Sequence, residues 1–278
     1  MISIIICSRT GVVNQNLSQN IAASIGAEYE LVPVDNSKNE YSIFQAYNIG
    51  VEKAKGDILC FMHEDILFHT NDWGKIIRDI MEEPEIGVVG FAGAHFLPSS
   101  PMYWFSSPLI SEHNLTNDNG KRIECFADDY YDEQGLSEVV AVDGFCFFIR
   151  KALFDSIAFD ENRFGGFHAY DMDICMQTVA AGYKVCVCNR ILIEHFWSES
   201  ALNNKEGAEL FEKNLAIFTD KWKESLPIHK GVDMPDYFWE RMDALCYHAH
   251  LEKKMHKSGS YRIGHAILAP LKKLKSTR

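Results

Sequence analysis

The chain has 278 residues, of which 47% are hydrophobic and 24% charged, so it can bury a large core and has the composition of a globular protein. Its 39 Asp and Glu outnumber its 27 Lys and Arg, and the formal net charge of -12 argues against a general nucleic-acid binder. The apolar runs are shorter than the roughly 20 residues that a bilayer span needs, and no basic leader precedes the first run. We therefore expect neither a membrane span nor a signal peptide.

The cysteines bear on the cellular compartment. Six of the eight lie inside apolar runs, where free thiols behave as small core side chains: Cys7, Cys60, Cys146, Cys175, Cys186 and Cys188. Free thiols favour a reducing compartment, so we expect a cytoplasmic protein. Cys186 and Cys188 alternate on one predicted strand without a second metal-type pair, which argues against a zinc site.

The first third of the chain alternates strands with helices. Apolar runs predict strands over residues 2–7, 29–34 and 58–62, and helical patterns fall around 17–25 and over 43–54. This alternation is typical of βαβ units with right-handed crossovers, in which helices cover both faces of a parallel sheet. We therefore predict an α/β fold with a mostly parallel sheet.

The pattern continues less regularly to the end of the chain. Residues 98–138 have no clear period and resemble an insertion that could cover a site. Further elements are predicted as a helix over 73–81, a strand over 87–91, a strand over 139–149, a helix over 171–181, strands over 184–188 and 191–193, and mainly helix beyond 198. Without an internal repeat or a flexible linker, we predict one elaborated domain over residues 1–200 and a helical extension over 201–278.

Polar residues come directly after each of the first three predicted strands, at residues 7–10, 35–37 and 63–65. Ligands of open parallel sheets bind beyond the carboxyl ends of the strands, so these clusters predict one pocket. Residues 35–37 would equally suit a turn or a helix cap. His63, Glu64 and Asp65 are costly at the end of a buried strand unless they are paired, and carboxylates suit Mg²⁺ or Mn²⁺, which can bridge a protein and a diphosphate.

Several blocks in a fixed order carry a family resemblance. The first four are Val-Asp-Asn-Ser at 34–37, Asn-Ile-Gly at 48–50, Ala-Lys-Gly-Asp-Ile at 54–58 and Phe-Met-His-Glu-Asp at 61–65. The second four are Val-Asp-Gly at 142–144, Phe-Asp-Glu at 159–161, Phe-Gly-Gly-Phe at 164–167 and Tyr-Asp-Met-Asp-Ile-Cys at 170–175. Together they resemble the motifs of inverting glycosyltransferase family two over roughly the first 200 residues.

This resemblance implies a Rossmann-like GT-A fold, a nucleotide-diphosphate-sugar donor, preferably a UDP-sugar, and a divalent Mn²⁺ or Mg²⁺ ion. Asp35 corresponds to the family's base-contacting aspartate, with Asn36 beside it, and the Ser8 and Arg9 loop lies where the nucleotide is also held. Glu64 joins this donor-binding set.

The metal site implied by the resemblance departs from the family's Asp-x-Asp pattern. Asp65 takes the final position and is the expected metal ligand, while His63 replaces the first aspartate and remains able to bind manganese. His195 corresponds to a further metal ligand of some members, although a histidine at a strand end is also an ordinary hydrogen-bonded group.

The catalytic base implied by the resemblance is Asp171, and Tyr170 replaces the glutamate that precedes it in the family. Inversion in a single displacement needs one carboxylate to take the acceptor hydroxyl's proton. Asp173 would not share the helix face of Asp171, so we interpret it as a supporting group. Alternatively, both acids only charge the first helical turn, which stabilises a helix by about 0.3 to 1 kcal/mol.

Aromatic residues and the carboxyl-terminal segment leave two open questions. Trp104, Phe105, Trp197 and Trp222 could stack on sugars, with core packing as the default. From Tyr261 onward, apolar residues alternate with basic ones, so this segment would either lie on an anionic membrane, at about 1 kcal/mol per basic residue, or pack on the domain as a solvated helix.

On the resemblance we predict a bacterial-type, metal-dependent inverting glycosyltransferase. It would transfer a sugar to a glycan or lipid-linked acceptor in surface polysaccharide assembly, in the cytoplasm or peripherally at the inner face of the membrane, without a nucleic-acid partner. His63 and Tyr170 leave a catalytically silent nucleotide-sugar or glycan-binding module of the same fold as the alternative. A nucleotidyltransferase would need a Gly-rich basic phosphate loop, which residues 8–11 match poorly.

Overall fold

A computed structural model describes residues 1–127, 129–196 and 205–257. Over these residues the strands are β1 Ile2–Ser8, β2 Tyr29–Asp35, β3 Ile58–Met62, β4 Ile66–Phe68, β5 Ile86–Gly90, β6 Ala92–Ala94, β7 Phe96–Leu97, β8 Ile110–Asp118, β9 Lys121–Ala127, β10 Leu136–Val139, β11 Ala141–Val142, β12 Cys146–Arg150, β13 Lys184–Cys188, β14 Ile193–His195 and β15 Ile228–His229. The α-helices are α1 Gln15–Ser24, α2 Ile43–Lys53, α3 Trp73–Ile80, α4 Tyr170–Ala180, α5 Lys205–Lys221 and α6 Asp236–Lys257.

The main layer is a seven-stranded sheet in the order β10-β13-β5-β12-β3-β1-β2. Strands β2, β1, β3, β5 and β13 share one direction, and β12 and β10 run against it. The mostly parallel sheet predicted from the sequence is thus confirmed. A second sheet has the order β11-β6-β8-β14-β4, with β9 paired to β8. Its strand β14 carries His195.

The first half of the fold forms where local sequence signals are strongest. The residues of β3 are all buried and apolar, as expected for a strand covered on both faces. Helix α2 begins with a capping box between Ser42 and Gln45. A Cβ atom on Gly50 would lie 2.3 Å from Cγ2 of Ile5, so glycine allows α2 to pack closely on β1.

One prediction for the middle of the chain is wrong. The single strand predicted over 139–149 is divided among β10, β11 and β12, because the chain turns between β11 and β12, where the Phe145 N–H donates to Oδ1 of Asp143 at 2.9 Å. The unpatterned insertion contains the β8–β9 hairpin, which turns at Asn119 and Gly120 with positive φ angles of 51° and 88°. Its residues show no clear period because β9 is mainly exposed and β8 is only partly buried.

The helices after residue 205 pack onto the α/β body. In α5, the buried Asn214 amide donates to the carbonyls of Gly165 and His168 at 2.7 and 2.9 Å, so this helix holds the loop that leads into α4. In α6, Trp239 stacks on Phe96, which anchors the start of the helix. Among the described helices, none is long and apolar enough to cross a membrane. The basic segment that starts at Tyr261 lies outside the described residues.

Candidate functional site

The ends of β1, β2 and β3 meet at one edge of the main sheet. The Asn36 N–H donates to the Ser8 carbonyl at 2.8 Å, which joins the ends of β1 and β2. Glu64, just after β3, accepts from the Ser8 hydroxyl at 2.8 Å and from the Arg9 N–H at 3.0 Å. Both carboxylate oxygens of Glu64 are therefore used to hold the loop after β1.

Asp35 presents an exposed carboxylate at the same edge. The Ser37 N–H donates to its Oδ1 at 2.9 Å, and this hydrogen bond lowers the pKa of Asp35. Gly11 has a φ of +77°, and a Cβ atom there would lie 2.9 Å from Cγ of Asp35, so the glycine brings the loop after β1 against this carboxylate. The neighbouring Asn36 side chain instead makes two 2.9 Å hydrogen bonds to the Tyr41 backbone.

His63, Asp65 and His195 form a group that could hold a cation, with one ligand atom from each residue within 4.8 Å of the others. Oδ1 of Asp65 lies 3.8 Å from Nδ1 of His63 and 3.6 Å from Nε2 of His195. Burial, together with the neighbouring His195, lowers the pKa of His63 to about 4, so its imidazole is neutral and has a free lone pair at neutral pH. Two imidazoles and a carboxylate fit a divalent transition ion such as Mn²⁺.

Asp171 lies in the first turn of α4 and is 1% exposed. Its Oδ1 accepts from the Met172 N–H at 2.9 Å, and its Oδ2 accepts from the Gly144 N–H at 3.1 Å and from the Tyr103 hydroxyl. Burial and the nearby Asp143 carboxylate raise the pKa of Asp171 to about 7 despite these hydrogen bonds. The carboxyl therefore titrates near neutral pH, as a general base should.

Tyr170 connects this carboxyl to the cation group. Its hydroxyl donates to the Gly144 carbonyl at 3.0 Å and lies 3.0 Å from Nε2 of His63. Because the Gly144 N–H contacts Asp171, the backbone of this one residue links both parts of the site.

Asp173 points away from Asp171 and binds the end of α5. It accepts from the Lys221 ammonium at 2.9 Å, from the Trp222 indole at 2.8 Å and from the Gln177 amide at 2.9 Å. Its carboxylate is 1% exposed, so these contacts form a buried anchor between α4 and α5.

The aromatic residues singled out in the sequence occupy different environments. Trp104 is buried in the core, Phe105 is 54% exposed, and Trp222 is held by Asp173. Trp197 lies outside the described residues.

Sequence reasoning missed three contributors to the site: Tyr103, Asp143 and Gly144. Asp143 and Gly144 belong to the Val-Asp-Gly block, but their position inside a predicted strand hid the turn that brings their polar groups close to Asp171. Tyr103 lies in the unpatterned insertion, and only the aromatic run at 103–105 marked it.

No role was predicted from the sequence for Glu194, which precedes His195. Burial alone would raise its pKa, but hydrogen bonds from Arg122, Asn117 and His69 outweigh burial and lower the pKa to about 2. Glu194 thus ties the β8–β9 hairpin to β14 beside the cation group.

Solved structures of two proteins share this architecture. GalNAc-T7, crystallised with UDP, GalNAc and Mn²⁺, is 13% identical over 71% of this chain and 44% of its own length, with a TM-score of 0.50. TarS 1-349 of S. aureus is 12% identical over 87% of this chain and 69% of its own, with a TM-score of 0.51. The complex of TarS 1-349 with UDP-GlcNAc is 13% identical over 87% of this chain and 70% of its own, with a TM-score of 0.51. The chain thus spans less than half the length of GalNAc-T7, and at these identities the likeness shows the fold alone.

The sequence comparisons assign the family. No curated protein sequence is matched. Residues 3–222 match the family model described as "Glycosyltransferase like family". The chain therefore belongs to this glycosyltransferase-like family and has a GT-A fold, as its sequence motifs indicated.

Proposed function

We propose that this protein is a metal-dependent, inverting glycosyltransferase that moves a sugar from a UDP-sugar to an acceptor hydroxyl. The observation that carries the proposal is a cation group of His63, Asp65 and His195 that is linked to the buried Asp171 carboxyl. The link runs through Tyr170 and the backbone of Gly144. A transferase of this kind needs charge neutralisation at the leaving diphosphate and one base for the acceptor.

The donor would bind along the edge where β1, β2 and β3 end. Asp35 would contact the nucleotide base, and the Ser8 and Arg9 loop, held by Glu64, would receive the rest of the nucleotide. The ligands of GalNAc-T7 and TarS, UDP and UDP-GlcNAc, support a uridine donor.

His63, Asp65 and His195 would hold the divalent ion. When bound, the ion neutralises the charge that develops on the diphosphate as it leaves. Mn²⁺ fits two imidazoles and one carboxylate better than Mg²⁺, which prefers oxygen ligands.

Asp171 would take the proton of the acceptor hydroxyl as that oxygen bonds to the anomeric carbon and the bond to the diphosphate breaks. Its pKa of about 7 makes it a stronger base than an ordinary aspartate while leaving a large ionised fraction at neutral pH. In this structure the Tyr103 hydroxyl donates to Oδ2, and we propose that the acceptor hydroxyl displaces it.

The acceptor and location are inferred from the resemblance and the basic segment after Tyr261. We propose a glycan or lipid-linked acceptor in bacterial surface polysaccharide assembly, with a cytoplasmic enzyme that contacts the membrane peripherally. We also retain the division into a catalytic domain over 1–200 and a helical extension over 201–278. Flotation with anionic liposomes, with and without the segment from Tyr261, tests the membrane contact, and equal flotation of the two proteins refutes it.

A catalytically silent sugar-nucleotide-binding module is the second candidate. The burial of Asp171 favours this candidate, because the carboxyl is 1% exposed and accepts a hydrogen bond from the Tyr103 hydroxyl.

Donor turnover by the parent and by Asp171→Asn distinguishes the two candidates. With UDP-sugars and Mn²⁺, we expect the parent to hydrolyse or transfer donor, and Asp171→Asn to bind UDP in a thermal-shift assay without turnover. Asp173→Asn, two residues away and directed at Lys221, is the matched control and should retain turnover when folded. A parent that binds donor without turnover supports the module, and an active Asp171→Asn refutes the base assignment.

A further inference from the structure

The two positions at which this chain departs from the family motifs contact each other. His63 stands where the motif has its first aspartate, and Tyr170 stands where a glutamate precedes the base. They are 107 residues apart in the chain, yet Nε2 of His63 lies 3.0 Å from the Tyr170 hydroxyl. The two substitutions therefore act on one contact.

The hydrogen bonds around the Tyr170 hydroxyl determine where the imidazole proton lies. A phenol has one proton, and Tyr170 donates it to the Gly144 carbonyl, which can only accept. Toward His63 the hydroxyl can then only accept, so Nε2 must carry the imidazole proton. Nδ1, the ring atom on the Asp65 side, is left with the lone pair that a metal requires.

The position of the hydroxyl is narrowly constrained. Tyr170 is 2% exposed and packs against the rings of Phe44, Tyr47 and Phe167. A Cβ atom on residue 144 would lie 2.2 Å from the Tyr170 oxygen, so only glycine leaves room for the hydroxyl there. The tyrosine thus cannot move aside without disturbing its packing.

We infer that Tyr170 is a positioning residue that holds His63 in its Nε2–H tautomer and presents Nδ1 to the cation. The inference rests on the metal site of the proposed function and adds a residue to it. Outer partners of this kind fix the orientation and tautomer of ligating histidines. An aspartate at position 63 has no tautomer to select, so it would not need the tyrosine.

The test measures Mn²⁺ affinity and the His63 tautomer in the full chain. Free Mn²⁺ is followed by electron paramagnetic resonance, and the tautomer is determined in the metal-free protein by two-bond ¹⁵N–¹H NMR. We expect the Nε2–H form in the parent, and in Tyr170→Phe a mixture of tautomers with Mn²⁺ binding about 10- to 100-fold weaker.

Two further variants keep the test independent of misfolding. Tyr29→Phe removes a hydroxyl from a partly buried tyrosine at the start of β2, at the end of the strand opposite Asp35, so it should leave Mn²⁺ affinity unchanged. A His63→Asp background has no imidazole and therefore no tautomer to select. In that background Tyr170→Phe should change Mn²⁺ affinity by less than about twofold, against about tenfold or more with His63 present.

The inference is overturned if the parent carries its proton on Nδ1, or if Tyr170→Phe binds Mn²⁺ as tightly as the parent. Failure of the proposed function has a different signature. A parent that binds Mn²⁺ through the Nε2–H tautomer without transferring sugar refutes the transferase and supports the positioning role. A parent that binds no Mn²⁺ refutes both the metal site and the purpose assigned to the tautomer.

Discussion

Replacing Asp171 with asparagine should change how stability depends on pH. The carboxyl is 1% exposed, and burial with the Asp143 charge raises its pKa from 3.8 to about 7. Because the folded pKa lies above the unfolded value, the protonated carboxyl favours the folded state. This stabilisation is fully present below pH 3.8 and is lost as the pH rises through about 7. A shift of about three units, at about 1.4 kcal/mol each, corresponds to about 4 kcal/mol.

Asp171→Asn removes this ionisation and adds a penalty that does not depend on pH. The NH₂ of the variant's side-chain amide must face either the Met172 N–H or the Gly144 N–H. That backbone N–H is then left without an acceptor, at a cost of about 1 to 3 kcal/mol. The unfolding free energy of the variant minus that of the parent should therefore rise by about 4 kcal/mol between pH 4 and pH 8. Other groups titrate in both proteins and largely cancel in this difference.

Urea unfolding of both proteins at half-unit steps from pH 4 to pH 8.5 measures this difference. Asp155→Asn is the control for the substitution itself, since Asp155 is exposed and its replacement should change the unfolding free energy by less than about 0.5 kcal/mol. A flat difference for Asp171→Asn, or one that falls as the pH rises, would refute the reasoning from burial.

Three further predictions concern the cation group, the Asp171 carboxyl and the buried anchor between α4 and α5. Asp65→Asn removes the carboxylate that lies near both imidazoles, so Mn²⁺ should no longer raise the melting temperature. Tyr103→Phe removes a hydrogen bond that lowers the pKa of Asp171, so the acidic limb of the pH–rate profile should move to higher pH. Lys221→Met leaves the buried Asp173 carboxylate without its cation and should lower the unfolding free energy by about 3 kcal/mol in urea unfolding.

Each of these predictions has an outcome that contradicts it. A Mn²⁺-induced shift retained by Asp65→Asn would exclude this carboxylate as a ligand. An acidic limb that stays in place or moves to lower pH in Tyr103→Phe would show that the Tyr103 hydroxyl does not lower the pKa of Asp171. Lys223→Met is the control for the anchor because Lys223 is exposed, and an equal loss of stability in both lysine variants would mean that burial of the pair is unimportant.

Elements set by local signals were predicted well. Strand β3 occupies the predicted range because an unbroken apolar run bounded by polar residues has few alternatives to a buried strand. Helix α2 ends only one residue before the predicted boundary. The agreement is close because its cap and its closing basic turn are encoded within a few residues. The break between β11 and β12 was hidden because apolar residues lie on both sides of the turn.

The sequence by itself determined the α/β class, the family and the positions of the polar strand ends, because apolar periodicity and motif order are properties of short segments. Only the tertiary structure decided that Tyr103 covers Asp171, 68 residues away, and that Tyr170 contacts His63, 107 residues away. Such contacts depend on how the sheets, the insertion and α4 pack together. Burial is likewise a property of the packed molecule, so the pKa of Asp171 could not be derived from its neighbours in the chain.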